Sequence, residues 1–357
     1  MRILFVIDSL GHMGGAEKVL TMLANYFVSK EIDVRILTLK ASGILFDVND
    51  NIKVIGSEEI KKKGFMFDKF TMFVKQIWSI NKVIRQENPD IVISFISAAN
   101  ILSIIASKIA KVPIVISEHS SYHRGVSGRF WKILRRLTYP FADKAIILTN
   151  EDKPKYHYVK DVSIIRNPLI LENNHLNIER QKIILGVGRL EKVKGFDMLI
   201  KAFSKIDNEG WKLLIAGEGS ERNTLQNMVD NLNISDKVQL LGLKNNMELY
   251  YRKSSIYVLS SRSEGFPGGL CEALGYGCAC IAFDCPTGPK EIISDGVNGV
   301  LVEKNSVDML SYEMEKMMKN DSIRTRFSKE AVAISEKLDI EIIGDTWLSV
   351  FNNIVKR

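Results

Sequence analysis

The segment KIILGVGRLEKVKG, residues 182–195, is the part of the sequence that decides the fold. It starts as an apolar run typical of a buried strand and leaves that strand through Gly186 and Gly188. A short apolar strand, a glycine turn and a following helix are typical of parallel sheets built from strand–helix–strand units. The segment also brings two cations, Arg189 and Lys194, into one loop. It therefore predicts a parallel sheet with a cationic loop at the end of one strand.

Similar runs of Val, Ile and Leu recur along the chain, with helical segments between them. In the first half, strands are predicted at residues 3–7, 33–39, 91–95, 114–117 and 144–148. The series then restarts, and strands are predicted at residues 182–187, 211–216, 238–241, 256–259, 279–283 and 299–301. Because the series begins anew, it predicts an α/β protein with two Rossmann-like, doubly wound domains.

The length of the chain also favours two domains. Its 357 residues, 46% of them hydrophobic and 25% charged, exceed what one hydrophobic core usually serves. We predict an N-terminal domain at residues 1–165 and a C-terminal domain at residues 166–340, with a last helix at residues 341–357 that joins the first. A ligand is expected in a cleft between the domains, because doubly wound folds bind at the carboxyl ends of their strands.

Two segments resemble membrane elements but are better explained as strands and helices. Residues 1–10 have a basic residue before an apolar run, but Asp8 interrupts the run and no small-residue cleavage site follows, which favours a strand. Residues 91–110 are long enough for a membrane span. Asn100 lies in their middle and an Asn-Pro-Asp turn precedes them, so a strand followed by a helix is predicted.

The positive charge of the chain is concentrated in its first half. The net charge is +7 in total, with a balance of +8 before residue 166 and −1 from there on. Basic residues gather beside apolar ones at Lys61, Lys62 and Lys63, and again at Arg124, Arg129, Lys132, Arg135 and Arg136 around Trp131. This pattern predicts contact with an anionic membrane surface, with a solvated helix face as the alternative. No nucleic-acid partner is predicted, because no known nucleic-acid-binding motif is present.

The four cysteines lie close together, at Cys271, Cys278, Cys280 and Cys285. They contain no Cys-x-x-Cys, and the two in the middle fall in an apolar segment that is predicted as a buried strand. We interpret them as reduced thiols, and a zinc site is the alternative.

Gly14 and Gly15 follow the first predicted strand and precede a predicted helix at residues 16–27. Such a turn lets backbone amides at a helix N-terminus approach an anion. A tight turn without a ligand is the alternative, because the pattern is neither a G-x-G-x-x-G nor a Walker sequence.

In the second half, Arg189 and Lys194 suit a diphosphate whose negative charge grows during a reaction, with ordinary surface charges as the alternative. Gly217 adds a second glycine-lined approach after the next strand.

The segment SEGFPGGLCEAL, residues 263–274, carries two carboxylates, Glu264 and Glu272, on either side of a glycine-rich turn. This arrangement suits one carboxylate on sugar hydroxyls and the other on a ribose, with loop amides facing phosphate. A glycosidase would also need two carboxylates, but the eight-residue separation does not specify an acid and a nucleophile on one bond. In the first half, His119 lies just past an apolar strand in a polar Ser-Glu-His-Ser sequence with no evident packing role, which favours a functional residue.

Taken in order, these motifs resemble the retaining GT-B glycosyltransferases of family 4 over essentially the whole chain. The resemblance implies that Arg189 and Lys194 bind the diphosphate of a UDP-sugar, that Glu272 holds the ribose, and that Glu264 and His119 lie near the reacting sugar. It implies donor contacts at Gly14, Gly15, Arg189, Lys194, Gly217, Leu243, Glu264, Phe266, Gly268, Gly269, Leu270 and Glu272. No metal or other cofactor is expected, because the sequence contains no Asp-x-Asp. In this family a same-face substitution is the usual proposal, so Glu264 is given no covalent role.

Residues 117–120 and 135–143 resemble those of bacterial enzymes that extend polyprenyl-diphosphate-linked oligosaccharides. This narrower likeness implies transfer of a hexose or N-acetylhexosamine, with N-acetylgalactosamine (GalNAc) as the first choice, in O-antigen, capsule or glycan assembly, with the N-terminal domain on the acceptor. It also implies a peripheral enzyme at the inner face of the cytoplasmic membrane. Two segments depart from the family pattern: residues 167–169 replace Asn-Gly-Val, and residues 287–291 replace Gly-Gly-x-x-Glu. A UDP-sugar epimerase and a non-catalytic nucleotide-sugar-binding module remain alternatives.

Overall fold

The computed structural model describes residues 1–11, 14–40, 43–56, 69–122, 124–125, 128–172 and 178–356. The chain divides into two compact units. The first consists of Met1–Pro168 and Ile340–Arg357, and the second of Leu169–Asp339. Each unit is built on one parallel sheet, so the predicted fold class is confirmed.

The first unit contains a seven-stranded sheet. Its strands are β1 (Arg2–Ile7), β2 (Asp33–Thr38), β3 (Lys53–Gly56), β4 (Ile91–Phe95), β5 (Ile114–Ser117), β6 (Lys144–Ile147) and β7 (Val162–Ile164). Their order in the sheet is β3-β2-β1-β4-β5-β6-β7. The sequence did not predict β3 and β7, because these short edge strands are only partly buried and lack a long apolar run.

Helices cover both faces of this sheet. They are α1 (Gly15–Ser29), α2 (Lys69–Glu87), α3 (Ser97–Ala110) and α4 (Arg129–Thr138). Successive residues of β1 point to opposite faces, so Ile3 and Phe5 pack with α1 while Leu4 and Val6 pack with α2 and α3. Residues 91–110 form β4 and α3, as predicted. No helix within the described ranges is both long and apolar enough to cross a bilayer.

The second unit contains a six-stranded sheet, and every one of its strands was predicted. They are β8 (Gln181–Val187), β9 (Lys212–Ala216), β10 (Val238–Gly242), β11 (Ser254–Leu259), β12 (Ala279–Phe283) and β13 (Gly299–Val302). Their order is β10-β9-β8-β11-β12-β13. The helices are α5 (Phe196–Ser204), α6 (Arg222–Asn231), α7 (Met247–Lys253), α8 (Gly268–Gly275), α9 (Pro289–Ile292), α10 (Val307–Lys319), α11 (Asp321–Ala331) and α12 (Ala333–Lys337).

The last helix, α13 (Ile340–Val355), belongs to the first unit and packs on α1. The hydroxyl of Tyr26 donates to the carboxylate of Asp345 over 2.7 Å. A side chain at Gly344 would collide with the Tyr26 ring, since a Cβ there would lie 2.2 Å from it. The glycine therefore lets the two helices approach closely, and Trp347 of α13 reaches the core behind β4.

Candidate active site

The loops after β8 and β11 lie side by side at the carboxyl edge of the second sheet, because these two strands are neighbours. The strand order reverses between them, which is where doubly wound sheets bind ligands. The backbone amide of Arg262 donates to the carbonyl of Val193 over 2.8 Å. The Ser260 hydroxyl donates to the carbonyl of Lys194 over 3.0 Å. These bonds hold the two loops against each other.

Two glycines allow this close approach. Gly195 has φ +68°, and a Cβ there would lie 2.0 Å from the carbonyl oxygen of Ser260. Gly217, which follows β9, has φ +143°, and a Cβ there would lie 1.9 Å from the carbonyl oxygen of Gly188. Both positions combine a backbone angle that favours glycine with no room for a side chain. The backbone of Gly217 therefore lies directly against the cationic loop.

Lys194 and Glu264, predicted as separate parts of the site, form one ion pair. Lys194 Nζ lies 2.7 Å from Glu264 Oε1, with 22% of the lysine side chain and 8% of the glutamate side chain exposed. The Ser261 hydroxyl donates to the same Oε1 over 2.5 Å, and the Thr287 hydroxyl donates to the Glu264 carbonyl. An ammonium has three N–H donors, so Lys194 can bind an anion and Glu264 together.

Arg189 lies on the same loop but is paired differently. Its guanidinium donates to Glu191 over 2.7 Å, and 61% of its side chain is exposed. Exposed pairs of this kind contribute little to stability, so Arg189 can exchange Glu191 for a ligand at a small cost. Of these two cations, Lys194 is therefore anchored, whereas Arg189 can leave Glu191 and turn toward an anion.

Helix α8 begins directly after the β11 loop, at Gly268. The amide of Leu270 already donates to the carbonyl of Pro267 over 3.0 Å, and the Leu270 side chain is fully buried. The amides of Gly268 and Gly269 precede this first bond, as the leading amides of a helix do. Among the predicted donor contacts in this turn, the amides of Gly268 and Gly269 therefore lie where the N-terminus of a helix binds anions. Phe266 is almost buried and lines the turn.

Tyr257 of β11 lies beneath this turn and was not singled out from the sequence. Its hydroxyl is buried and has no hydrogen-bond partner among the described residues. A Cβ at Gly269 would lie 2.9 Å from this hydroxyl. A tyrosine inside an apolar strand gives no sequence signal that separates it from an ordinary core residue. The structure therefore adds Tyr257 to the residues next to the glycine turn.

Glu272 is held from the side by Tyr251, whose hydroxyl donates to Glu272 Oε2 over 2.9 Å. The Tyr251 ring in turn stacks on Tyr276, with 5.7 Å between ring centroids. Leu243, which follows β10, is 59% exposed.

Thr287, where the family pattern often has glycine, adopts φ +65°, a strained angle for a β-branched residue. Such strain persists where surrounding contacts enforce it, and here the Thr287 hydroxyl is bonded to the Glu264 backbone.

In the first unit, His119 follows β5 and is held on two sides. Its Nε2 lies 2.9 Å from the Ser117 hydroxyl, and its ring stacks on Phe95 with 4.9 Å between centroids. Burial lowers the pKa of His119 to about 3, so the imidazole is neutral near pH 7. A neutral imidazole offers one donor and one acceptor nitrogen. Its Nδ1 has no hydrogen-bond partner within the described part of the chain.

Gly14 and Gly15 begin helix α1 in the same unit. Glu17 lies in the first turn of α1 and is buried, and a Cβ at Gly14 would lie 2.1 Å from its carboxylate. A carboxylate at a helix start already interacts favourably with the leading amides, so it competes with an anionic ligand there. Gly14, Gly15 and His119 thus belong to one unit, and the other predicted donor residues belong to the second.

Glu118 forms the centre of a buried polar cluster that the sequence did not predict. Its carboxylate accepts hydrogen bonds from Ser97 over 2.8 Å and from Asn100 over 3.2 Å, and another from the Tyr139 hydroxyl. Burial raises the pKa of Glu118, and these donors and the nearby charge of Arg135 oppose that rise. A glutamate in a sequence suggests an exposed position because its side chain is charged. The burial of Glu118 therefore could not be predicted without the tertiary structure.

Arg135 corrects one of the predicted membrane contacts. It was predicted on the exposed basic face of a helix, but only 3% of it is exposed. Its guanidinium donates to the carbonyl of Tyr122 over 2.9 Å and lies 3.9 Å above the Tyr122 ring. At helical spacing, Arg135 falls on the side of α4 that faces the unit, so the prediction for this residue was wrong.

Of the remaining residues of the predicted membrane face, Arg129, Lys132 and Arg136 form an exposed surface on α4, and Arg124 lies in the loop before it. Arg124, Arg129, Lys132 and Arg136 are exposed, whereas Trp131 is partly buried. Between the cations of α4, Phe130, Ile133 and Leu137 are also exposed, which gives this face a mixed basic and apolar character. Lys61, Lys62 and Lys63 lie outside the described residues. On α2, Trp78 is 70% exposed and was not singled out from the sequence.

All four cysteines are buried free thiols. Burial raises the pKa of Cys278, Cys280 and Cys285, the last to about 12, so these groups stay protonated near pH 7. Within the described ranges, no group of three or more His, Cys, Asp or Glu side chains is arranged to hold a metal ion. The cysteines therefore act as small apolar core residues.

Comparison with known families identifies the class of protein. The family described as Glycosyltransferase Family 4 matches residues 13–169, and the family described as Glycosyl transferases group 1 matches residues 170–333. The two matches follow one another along the chain. The protein is therefore a glycosyltransferase, and it belongs to the GT-B glycosyltransferases of family 4, group 1.

Two curated relatives are similar along their whole length. A Campylobacter jejuni protein is 30% identical over 99% of this chain and 99% of its own, and is named a GalNAc-alpha-(1->4)-GalNAc-alpha-(1->3)-diNAcBac-PP-undecaprenol alpha-1,4-N-acetyl-D-galactosaminyltransferase. An amylovoran biosynthesis glycosyltransferase of Erwinia amylovora is 25% identical over 98% of this chain and 99% of its own.

Solved structures of low sequence identity share the fold. Anabaena HepE in complex with UDP has a TM-score of 0.80 at 17% identity and covers 99% of this chain and 100% of its own. Staphylococcus aureus TarM, crystallised with UDP among other ligands, has a TM-score of 0.81 at 16% identity and covers 98% of this chain and 99% of its own. These likenesses confirm the predicted GT-B fold.

Proposed function

We propose that this glycosyltransferase transfers a hexose or an N-acetylhexosamine, with GalNAc as the first choice, from a UDP-sugar to a saccharide linked to a lipid diphosphate. The observation that carries the proposal is the Lys194–Glu264 ion pair at the switch point of the second sheet. The names of the Campylobacter relatives support the choice of sugar and acceptor, and the UDP complexes of HepE and TarM support the nucleotide. The same names and the Erwinia relative favour a role in bacterial surface polysaccharide or glycan assembly.

In the proposed donor complex, Lys194, Arg189 and the amides of Gly268 and Gly269 bind the diphosphate. The lysine and the helix start lie on the two loops that are bonded together, so both can reach one anion. Positive groups placed before the reaction stabilise the charge that grows on the leaving diphosphate. Glu272, oriented by Tyr251, is assigned to the ribose hydroxyls.

The proposed chemistry is a same-face substitution that retains the anomeric configuration. The acceptor hydroxyl oxygen forms a bond to the anomeric carbon on the side from which the diphosphate leaves. The bond between that carbon and the diphosphate oxygen breaks, and the hydroxyl proton passes to the leaving diphosphate. Glu264 has no covalent role in this scheme, and its bonds to Lys194 and Ser261 support a function in orienting the sugar.

We propose that transfer needs no metal ion or other cofactor. The cations of Arg189 and Lys194 supply the positive charge that a metal supplies in other sugar-nucleotide enzymes. His119 is proposed to bind a sugar hydroxyl beside the reacting centre as a neutral hydrogen-bonding group. Its lowered pKa supports this role, because a protonated ring would lose its acceptor nitrogen.

We further propose that the enzyme is peripheral at the inner face of the cytoplasmic membrane. The surface of α4 formed by Arg129, Phe130, Lys132, Ile133, Arg136 and Leu137 supports this location. Cations attract anionic headgroups while exposed apolar side chains enter the interface. Arg124, in the loop before α4, is assigned to the lipid-linked acceptor.

The first test is thermal stabilisation by a panel of UDP-, GDP- and ADP-sugars in the presence of EDTA, because a ligand of the native state raises the melting temperature. A shift with UDP-N-acetylhexosamines that survives EDTA is expected. No shift with any nucleotide sugar would contradict the donor assignment, and loss of the shift with EDTA would contradict metal independence.

The second test adds an acceptor. UDP-GalNAc and a GalNAc-terminated oligosaccharide on a short prenyl diphosphate should yield an α-linked product, identified by the anomeric proton coupling in its NMR spectrum. A β-linked product would contradict retention. Conversion of the donor without an acceptor would instead support the epimerase, and UDP binding without turnover would support the non-catalytic module.

A further inference from the structure

We propose that Arg135 is a positioning residue that fixes the loop after His119 for binding of the acceptor saccharide, and that it has no contact with the membrane. The inference rests on the proposed transfer reaction and names the part of the first unit that orients its acceptor. The loop in question begins after β5 and includes Ser120, Ser121, Tyr122, Arg124 and Gly125.

Arg135 holds this loop at Tyr122. The guanidinium donates to the Tyr122 carbonyl over 2.9 Å and also covers the Tyr122 ring at 3.9 Å. The Tyr122 amide donates to the carboxylate of Asp152 over 3.1 Å. Asp152 is itself buried and paired with Lys155 at 2.8 Å. The backbone of one loop residue is therefore fixed on both its carbonyl and its amide side by buried charged groups.

The same arginine also forms part of the floor of the loop. A Cβ at Gly125 would lie 3.3 Å from Arg135 Nη1, 3.3 Å from Glu118 Oε2 and 2.6 Å from the Ser97 hydroxyl. The loop backbone thus rests directly on the buried cluster of Glu118, with no side chain between them. A Cβ at Gly125 would force these groups apart, so the loop can lie this low only with glycine there.

This arrangement connects the buried cluster to the reacting end of the unit. His119 directly follows Glu118, and Arg124 lies exposed at the far end of the loop. A displaced loop would therefore move both groups that are assigned to the sugar and the acceptor. Burying a charge is costly, and in some proteins a buried charge serves to specify one conformation, which is the role inferred here for Arg135. A purely structural role would lower stability alone, whereas a positioning role also changes acceptor binding.

The decisive variant is Arg135→Met, compared with Arg324→Met in the second unit. Arg324 is a matched control because it also donates to backbone carbonyls, of Met317 and Met318, and also covers an aromatic ring, that of Trp211. With UDP-GalNAc and the short prenyl-diphosphate acceptor, Arg135→Met is expected to raise the KM for the acceptor about tenfold, equivalent to about 1.4 kcal/mol. The KM for the donor should stay within about twofold of wild type, and Arg324→Met should change neither.

Arg135→Lys keeps the charge and can still donate to the Tyr122 carbonyl but lacks the planar fork, so its acceptor KM should lie between those of Arg135→Met and the wild type. Tyr122→Leu removes the covered ring without leaving a buried charge alone, and should raise the acceptor KM even if Arg135→Met folds poorly. Hydrogen exchange in the full-length protein should become faster in the peptide of Ser120–Tyr122 for Arg135→Met and Tyr122→Leu, and not for Arg324→Met. Partition of Arg135→Met onto vesicles with anionic lipid should equal that of the wild type.

An acceptor KM within twofold of wild type in both Arg135→Met and Tyr122→Leu would overturn the inference. Loss of vesicle binding with unchanged kinetics on the soluble acceptor would overturn it as well, and would restore the membrane contact. If the wild type shows no transfer at all, the proposed function fails instead. Hydrogen exchange of the Ser120–Tyr122 peptide then tests whether Arg135 holds the loop at Tyr122. Unchanged exchange in both variants would exclude this anchoring.

Discussion

Each unit carries a carboxylate and a cation at the carboxyl edge of its sheet, but the two pairs have different surroundings. In the second unit, Lys194 and Glu264 are in direct contact in a loop, and the lysine keeps N–H donors that a ligand can use. In the first unit, Glu118 and Arg135 are both almost fully buried, and each is hydrogen-bonded within the protein, Glu118 to Ser97 and Arg135 to the Tyr122 carbonyl. The comparison teaches that opposite charges near the carboxyl edge of a sheet do not by themselves distinguish a binding pair from a structural one.

The largest expected effect comes from breaking the buried cluster. Glu118→Ala leaves three buried donors, of Ser97, Asn100 and Tyr139, without their shared acceptor and removes the negative charge near Arg135, so it should lower the free energy of unfolding by about 3–5 kcal/mol. Native-state hydrogen exchange of β5 and α3 measures this loss in the first unit. Glu264→Ala, the matching change in the second unit, should reduce exchange protection of β11 by much less, and equal losses would break the comparison.

Removing the cation of the binding pair should mainly reduce turnover. Lys194→Ala is expected to lower kcat/KM by roughly 10²–10³, about the effect of losing one preorganised donor to a developing charge. Lys192→Ala is the control, because Lys192 lies in the same turn and is exposed. Steady-state kinetics with UDP-GalNAc measures both variants, and wild-type activity in Lys194→Ala would contradict the diphosphate assignment.

A third test separates the exposed cations of α4 from the buried one. Replacing Arg129, Lys132 and Arg136 with glutamine should weaken binding to anionic vesicles by roughly 3 kcal/mol, at roughly 1 kcal/mol for each cation near the surface. Cosedimentation with vesicles at low and high salt measures the change, and activity on the short soluble acceptor is the reference. Unchanged vesicle binding would return this face to an ordinary solvated helix.

The smallest expected effect is the pH dependence contributed by His119. Because burial lowers its pKa in the folded state, its contribution to stability is fully present above the unfolded pKa of about 6.5 and is lost as the pH falls toward 3. Because the side chain is partly exposed and its charge is partly screened by solvent, the total loss between pH 6.5 and pH 4 should stay below about 1.4 kcal/mol, the equivalent of one pKa unit. His119→Gln should flatten the curve of melting temperature between pH 6.5 and pH 4, and an unchanged slope would argue against a buried neutral imidazole.

Much of the fold followed from the sequence because it depends on local patterns. Apolar runs separated by helical segments identified every strand of the second sheet, and the restart of the series identified two parallel sheets. The edge strands β3 and β7 were missed because they are short and half-exposed, so they carry no strong apolar signal. The glycine turns identified the loops after β8 and β11, where the chain approaches itself too closely for side chains.

The sequence by itself determined the class of fold, the family and the two loops that carry Lys194 and Glu264, because spacing and composition act along the chain. Only the tertiary structure decided which charges are used inside the protein. Arg135 and Arg136 are neighbours in sequence, yet one is buried over Tyr122 and the other is exposed. Tertiary contacts also place the Tyr257 hydroxyl under Gly269. They likewise bring Ser97 and Asn100 to Glu118, about 20 residues away in the sequence. Burial and hydrogen-bond pairing depend on these distant contacts, so no local pattern can encode them.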